Sequence, residues 1–242
     1  MPNLQTETTT MKQYKHLFFD LDHTIWDFET NAKATLYDIF ILNNLEEKGI
    51  DSFDNFFTQY SIHNHKLWDK YTKGQIKQDE LKWKRMYLGL LEYKIADEQL
   101  ARKMGLEFTQ ILPDKTNLFA YTKEILAYLK NKSYKLHLIT NGFEDLQASK
   151  LMNTNIKHFF EEVITSEASN SLKPNKEIFD YALQKTNANV DESIMIGDNV
   201  DADIEGGINA GLDTIYVNHI NNKKYERANY TIFHLKELEE IL

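Results

Sequence analysis

The stretch HLFFDLDHTIWDF, His16 to Phe28, decides the fold. Leu17, Phe18 and Phe19 make an apolar run too short for a helix, so "YKHLFFD" reads as a short buried strand. That strand ends on two acids, Asp20 and Asp22, and Thr24 follows two residues later. In an extended segment alternate side chains share a face, so the two carboxylates lie on the same side of the chain.

Downstream, from about Glu29 to Phe108, no strand-like run occurs. Phe53, Phe57, Tyr60, Leu67 and Tyr71 recur at helical spacing. Gly74 breaks that helix, "QIKQDELKWKRMYLGLLEY" starts another, and "ADEQLARKMGLEFTQIL" gives one more. After Pro113 the pattern alternates. "NLFAYTKEILAYLKNK" reads as a helix with Leu118, Ile125 and Leu129 in its core face, and "KLHLIT" as a strand. "GFEDLQASKLMN" is a helix, "EEVITS" a strand, "KEIFDYALQKTN" a helix and "SIMIGD" a strand. "DADIEGGINAG" is a short helix, "DTIYVN" a strand and "HLKELEEIL" a closing helix. Strands alternating with helices predict βαβ units and a doubly wound, Rossmann-like parallel α/β sheet. The expected plan is a core domain over 14–26 and 112–242, with an all-helical domain over 27–111 inserted after the first strand. Residues 1–13 read as a loose tail.

The formal net charge of −9 lacks the electrostatic footprint of a nucleic-acid binder, so no nucleic acid polymer is expected as partner. The chain has no cysteine, which excludes disulfides, thiolate catalysis and cysteine-based zinc sites and is compatible with a cytoplasmic location. The polar start "MPNLQTETTTMKQ" has no apolar signal region, and no long apolar run predicts a membrane span. The sequons at Asn131 and Asn229 are then chance matches.

Ligands of open parallel sheets bind at the carboxyl ends of the strands. The first strand ends in Asp20, Asp22 and Thr24, and "KLHLIT" in Thr140 and Asn141. "EEVITS" is followed by "SEASNSLKP" with Lys173, and "SIMIGD" ends in Asp198 with Asp203 close behind. Acids gathered that closely repel unless a cation sits among them, and an oxygen-only ligand set suits Mg²⁺. Thr140, Asn141 and Lys173 supply the donors that a phosphate needs.

These four segments, in this order, resemble the four motifs of the haloacid dehalogenase superfamily: "DLDHT", "LITNG", Lys173 in "LKPNKEIF", and "MIGDNVDADIEGG". The helical insert resembles that family's C1 cap. "NGF", "KPNKEIFDYAL", "GDNVDADIEGGINAGL" and "LWDKYTKGQI" are similar to the pyrimidine 5′-nucleotidase branch. The resemblance implies a Mg²⁺-dependent phosphatase acting on small phosphomonoesters, nucleoside 5′-monophosphates first. Asp20 would be the nucleophile and Asp22 the general acid and base. The metal would be held by Asp20, the Asp22 backbone carbonyl and Asp198, with Asp203 behind them. Thr24, Thr140, Asn141 and Lys173 would bind phosphate, Lys173 also neutralising Asp20. Three rivals stand beside this reading. A sugar phosphatase or phosphoglucomutase-like enzyme shares the core. A 2-haloacid dehalogenase would lack the acid at Asp22, because a leaving halide needs no proton. A phospho-accepting signalling domain would carry a stable phosphate on Asp20.

Other features invite plainer readings. His23 replaces a residue that is glycine in many members and removes no catalytic atom. Lys176 is the neighbouring rival of Lys173. "DADIEG" resembles the start of a calcium loop, but position twelve is Leu212, so Asp201 is expected to be solvated. His63 and His65 lie i, i+2 on a helix and cannot easily share one ion. His137 is internal to a strand and reads as structural. Trp68, Tyr71, Trp83 and Tyr87 read as core of the insert, and Trp26 and Phe28, at the junction, as facing the substrate.

Overall fold

The computed structural model describes residues 12–242, so residues 1–11 of the expected tail lie outside the described part. Six parallel strands form one sheet, and helices flank them. They are β1 (His16–Phe19), β2 (Lys135–Thr140), β3 (Phe160–Thr165), β4 (Ser193–Gly197), β5 (Asp213–Val217) and β6 (Tyr230–Ile232). Their order is β3-β2-β1-β4-β5-β6, so β1 lies inside the sheet and the order reverses beside it. Every adjacent pair is parallel. This is the doubly wound α/β fold that the alternation predicts.

Both faces of the sheet are covered. Leu17, Phe19, Ile194 and Ile196 belong to one apolar cluster, and Phe18, Ile139 and Met195 to another on alternate positions of the same strands. All seven are completely buried. Burying a Leu, Ile or Phe side chain stabilises by about 1.5–3 kcal/mol, so these short strands hold through their two-sided packing.

Between β1 and β2 the chain forms α1 (Phe28–Leu42), α2 (Phe53–Thr72), α3 (Gln78–Leu91), α4 (Glu98–Ile111) and α5 (Thr122–Asn131). Side-chain caps start three of them: Asp27 accepts from the Thr30 amide, Ser52 from Asn55 and Asp97 from Leu100. The remaining helices are α6 (Glu144–Asn153), α7 (Ser166–Ser169), α8 (Lys176–Thr186), α9 (Gly206–Asn209) and α10 (Leu238–Ile241). None of the described helices is long and apolar enough to cross a membrane.

Three details correct the sequence reading. Leu118 is not in α5, which starts at Thr122. Its segment pairs instead with the chain leaving β1: Asp27 N–H donates to Asn117 O, Phe119 N–H to Ile25 O, and Trp26 bridges Leu118. Asn31 fixes the pairing, its amide donating to Asn117 O and its carbonyl accepting from Asn117. "DADIEGG" is mainly a π-helical turn over Val200–Glu205, capped by Asn199, before the four-residue α9. β6 has only three residues, too few for a periodic signal.

Candidate active site

The loops at the carboxyl ends of β1, β2, β3 and β4 converge. Asp20 follows β1, and its amide donates to Ile196 O at 2.8 Å, which extends the ladder onto β4 and fixes the direction of the side chain. Lys173, from the loop between α7 and α8, is 2% exposed. Its Nζ donates to Asp20 Oδ1 at 2.6 Å, Asp203 Oδ1 at 2.7 Å and Ile139 O at 2.7 Å, three acceptors for three protons. Asn141 holds this loop in place: Lys173 N–H donates to Asn141 Oδ1, and Asn141 Nδ2 donates back to Lys173 O. Lys176, the rival, pairs with exposed Asp180 on its own helix.

Oxygens of Asp20, Asp198 and Asp203 lie within 4.8 Å of one another. Burial, with Asp203 and Asp22 adding to it against the pull of Lys173, pushes the Asp20 carboxyl up to about 7. Burial first, then Asp20 and Asp203, also holds Asp198 well above the usual carboxylate range. Burial works against the charge on Lys173, but Asp20 and Asp203 outweigh it and raise the ammonium above its ordinary value. Three carboxylates against one ammonium leave a deficit of two positive charges, in an oxygen-only set. That donor chemistry fits a hard divalent cation. Both oxygens of Asp203 are already used, by Lys173 and by the Asn199 amide, so Asp203 suits positioning better than direct ligation. Gly197, at the end of β4, lets this happen: a Cβ there would collide with the Asp203 carboxylate.

The Asp22 side chain is not part of this cluster. Its Oδ1 accepts from Lys150 Nζ at 2.6 Å and its Oδ2 from Gln147 Nε2 at 2.9 Å, both on α6. Gln147 also donates to Thr140 Oγ1 at 2.7 Å, and that oxygen accepts from the Gly142 amide as well. Gly142 gives Gln147 its room, since a Cβ would overlap the Gln147 amide. Lys150 and Gln147 are absent from the sequence reading. Their only signal is i, i+3 spacing on one helix face, which a solvated face shares.

Thr24 departs from expectation. It is completely buried, and its hydroxyl donates to Asp198 Oδ1 at 3.2 Å, so its side chain holds a carboxylate instead of lying open to a phosphate. Trp26 is corrected too. It is completely buried because the pairing of its segment with Leu118 turns it inward, where Lys150 Nζ lies 4.2 Å from its ring centre. Phe28 does reach a cavity, which it lines together with Asp22, Lys150, Trp68, Arg85 and Phe143. That cavity has about 30 Å³ of free volume, room for a water or two.

The remaining expectations sort by environment. Trp83 packs beneath Arg102 and against Tyr87. Tyr71 meets Phe143 edge-on, whereas Trp68 stacks on Phe143 at 5.7 Å and lines the cavity. His63 pairs with Glu92 and His65 with Ser61 O, but Asn64 between them is buried. Asp201 is exposed. His137 lies inside the sheet, stacked on His16 at 5.3 Å, and burial lowers it to about 4. His23 adopts φ of +66° and packs on Phe28, a conformation that explains why glycine suits that position.

Comparison with known proteins agrees with this geometry. The haloacid dehalogenase-like hydrolase family matches residues 14–211. The chain is similar to the pyrimidine 5′-nucleotidase YjjG of Escherichia coli, 30% identical over 239 residues, covering 93% of this chain and 96% of YjjG. It is 29% identical over 210 residues to a glyceraldehyde 3-phosphate phosphatase of Methanothermobacter thermautotrophicus, covering 84% of this chain and 85% of that one. Its fold superposes on the magnesium-bound crystal structure of the hydrolase YfnB from Bacillus subtilis, in which interdomain movement is described. The TM-score is 0.85 at 28% identity, over 96% of this chain and 99% of YfnB. With the family matched across most of its length and the motif residues gathered at one sheet edge, the chain belongs to the haloacid dehalogenase-like hydrolases.

Proposed function

We propose that this chain is a Mg²⁺-dependent phosphatase of small phosphomonoesters, with pyrimidine nucleoside 5′-monophosphates as its substrates. The observation that carries the reading is the second carboxylate. Asp22 stands two residues after Asp20 and lines the cavity, its oxygens accepting from Lys150 and Gln147, so it takes up the proton that it gives when it turns from these donors to the ester oxygen. A carbon–halogen bond can break without a proton, whereas an ester oxygen leaving phosphorus takes one. The nucleotide assignment draws support from the likeness to YjjG, and a triose-phosphate substrate from the likeness to the archaeal phosphatase.

In this reading an Asp20 oxygen attacks phosphorus while the bond to the ester oxygen breaks, and Asp22 gives that oxygen its proton. A water then returns a proton to Asp22 as its oxygen attacks the aspartyl-phosphate, releasing inorganic phosphate and free Asp20. Lys173 offsets charge on Asp20 and the phosphate. Thr140 and the Asn141 amide orient phosphate oxygens, and Thr24 and Asp203 keep Asp198 and Lys173 in place. Asp20, the Asp22 backbone carbonyl and Asp198 would hold Mg²⁺, which supplies positive charge against the phosphoryl oxygens. Residues 27–111 act as the cap over a core of 14–26 and 112–242, and substrate enters as the cap swings away, because the cavity is too small for a nucleoside. We place the protein in the cytoplasm, which suits a chain without cysteine.

The test is phosphate release from a panel of nucleoside monophosphates, sugar phosphates and glyceraldehyde 3-phosphate, with Mg²⁺ and with EDTA. Metal-dependent release from pyrimidine monophosphates is expected, and Asp20→Asn lowers kcat by about 10⁴-fold or more. Release from triose or sugar phosphates alone keeps the chemistry and sinks the nucleotide assignment. Halide release, or a stable phosphoprotein without turnover, sinks the phosphatase reading itself.

A further inference from the structure

Arg85 is the one strongly basic side chain of the helical insert that is buried at the cavity. It sits on α3, is 3% exposed and lines the same cavity as Asp22. A buried guanidinium ordinarily has a carboxylate beside it, because an unpaired buried charge is costly. Among the described residues Arg85 forms no salt bridge. Its Nη1 donates to Asn64 Oδ1 at 3.1 Å, its Nε makes a long 3.4 Å contact to Lys82 O, and its Cζ lies 4.4 Å from the centre of the Phe108 ring. All of these partners are neutral. Nη2 has no hydrogen bond among the described residues.

Asn64 shows that this is a built arrangement. It is itself 5% exposed, lies one helix away on α2, and fixes the direction of the guanidinium. Four aromatic residues, Phe28, Trp68, Phe108 and Phe143, line the cavity together with Arg85, and Phe108 lies against the guanidinium. Nε and Nη1 each donate once within the protein, which leaves both N–H groups of Nη2 and the second of Nη1 to donate. With the phosphoryl group placed at Asp20, the part of the substrate that reaches Arg85 is its uncharged leaving group, which offers acceptor oxygens and no second anion. Flat aromatic walls suit a planar ring.

We propose that Arg85 is a specificity-determining residue that donates from Nη2 to a ring carbonyl oxygen on the pyrimidine base of the nucleoside leaving group, the base being held between the aromatic residues of the cavity. This rests on the nucleotide reading above. It assigns the two ends of the cavity separate tasks: Asp22 with Lys150 faces the ester oxygen, and Arg85 faces the base. The interaction is charge-assisted, so its loss is read mainly in KM.

The experiment compares kcat/KM for uridine 5′-monophosphate, ribose 5-phosphate and phenyl phosphate. The second substrate lacks the base, and the third has a ring without a carbonyl. Arg85→Met is expected to lower the preference for uridine 5′-monophosphate over each of the others by about 10- to 100-fold. Asn64→Asp is the second variant. It keeps volume and fold while giving Arg85 a carboxylate partner, so the preference should fall in the same direction. Arg85→Lys should restore part of it. A wild-type enzyme with no preference for uridine 5′-monophosphate over ribose 5-phosphate overturns the nucleotide reading, and the role of Arg85 with it. A wild-type preference that survives in both Arg85→Met and Asn64→Asp overturns the role of Arg85 alone, as does an equal loss on all three substrates in Asn64→Asp.

Discussion

The strand ends and the helical insert handle charge in opposite ways. At the strand ends the buried cations are matched: Lys173 sits between Asp20 and Asp203, and Lys150 sits on Asp22. At the helical end Arg85 is as deeply buried, yet it meets only an amide, a backbone carbonyl and aromatic faces. Matched charges fix geometry, because moving either partner strands the other in a low dielectric. An unmatched charge fixes nothing by itself and gains most when something else arrives. On the proposed function, the difference is a division of labour in which the chemistry is rigid and the selectivity is held ready.

Breaking the matched end should have the largest effect. Lys173→Met leaves Asp20 and Asp203 buried without their ammonium. Activity should fall by about 10²–10³-fold, and the fold should lose about 3–5 kcal/mol in EDTA, measured by urea unfolding. Added Mg²⁺ should return part of that stability if the carboxylates bind it. Unfolding curves that ignore both the substitution and the metal would mean that the charges are not matched as described. Lys150→Met tests the other pair and is milder, because Gln147 still donates to Asp22. Here kcat should drop by about 10- to 100-fold with little change in KM, less than for Asp22→Asn. A change confined to KM would move Lys150 from supporting Asp22 to binding substrate.

The last effect is one of pH, without consequence for activity, and it lies in the sheet away from the site. Burial holds His137 at about 4, against about 6.5 in an unfolded chain. The unfolded state therefore binds more protons between those values, and stability falls as pH is lowered from about 6.5 towards 4. Replacing His137 with Gln should flatten that part of the Tm profile; an unchanged slope would assign it to other groups.

The acids and Lys173 at the strand ends are legible in the sequence; their partners on α6 and the unmatched end are not. Asp20, Asp22, Thr140, Asn141 and Asp198 end or closely follow short apolar runs, Lys173 and Asp203 lie on the segments after them, and strand ends of a parallel sheet converge whatever the chain does between them. Lys150 and Gln147 lie on α6, where a polar pair one turn apart looks like any solvated face. Arg85 and Asn64 are 21 residues apart on different helices, so only packing reveals that they meet. Trp26 misled for a related reason. Its position at the junction is readable, but the segment that buries it, 117–119, is about ninety residues away and reads as the start of a helix.

That pairing has a mechanical consequence. The chain passes between sheet and helical insert twice, at 25–27 and 117–119, and the two passages are hydrogen-bonded to each other. A body hung from one thread can swivel in any direction, whereas a body hung from two threads laced side by side can turn only about the line joining them. On the proposed reading, in which the insert is a cap that swings, the lacing would confine that swing to one axis, like a door on its post, and would bring Arg85 back to the cavity it shares with Asp22.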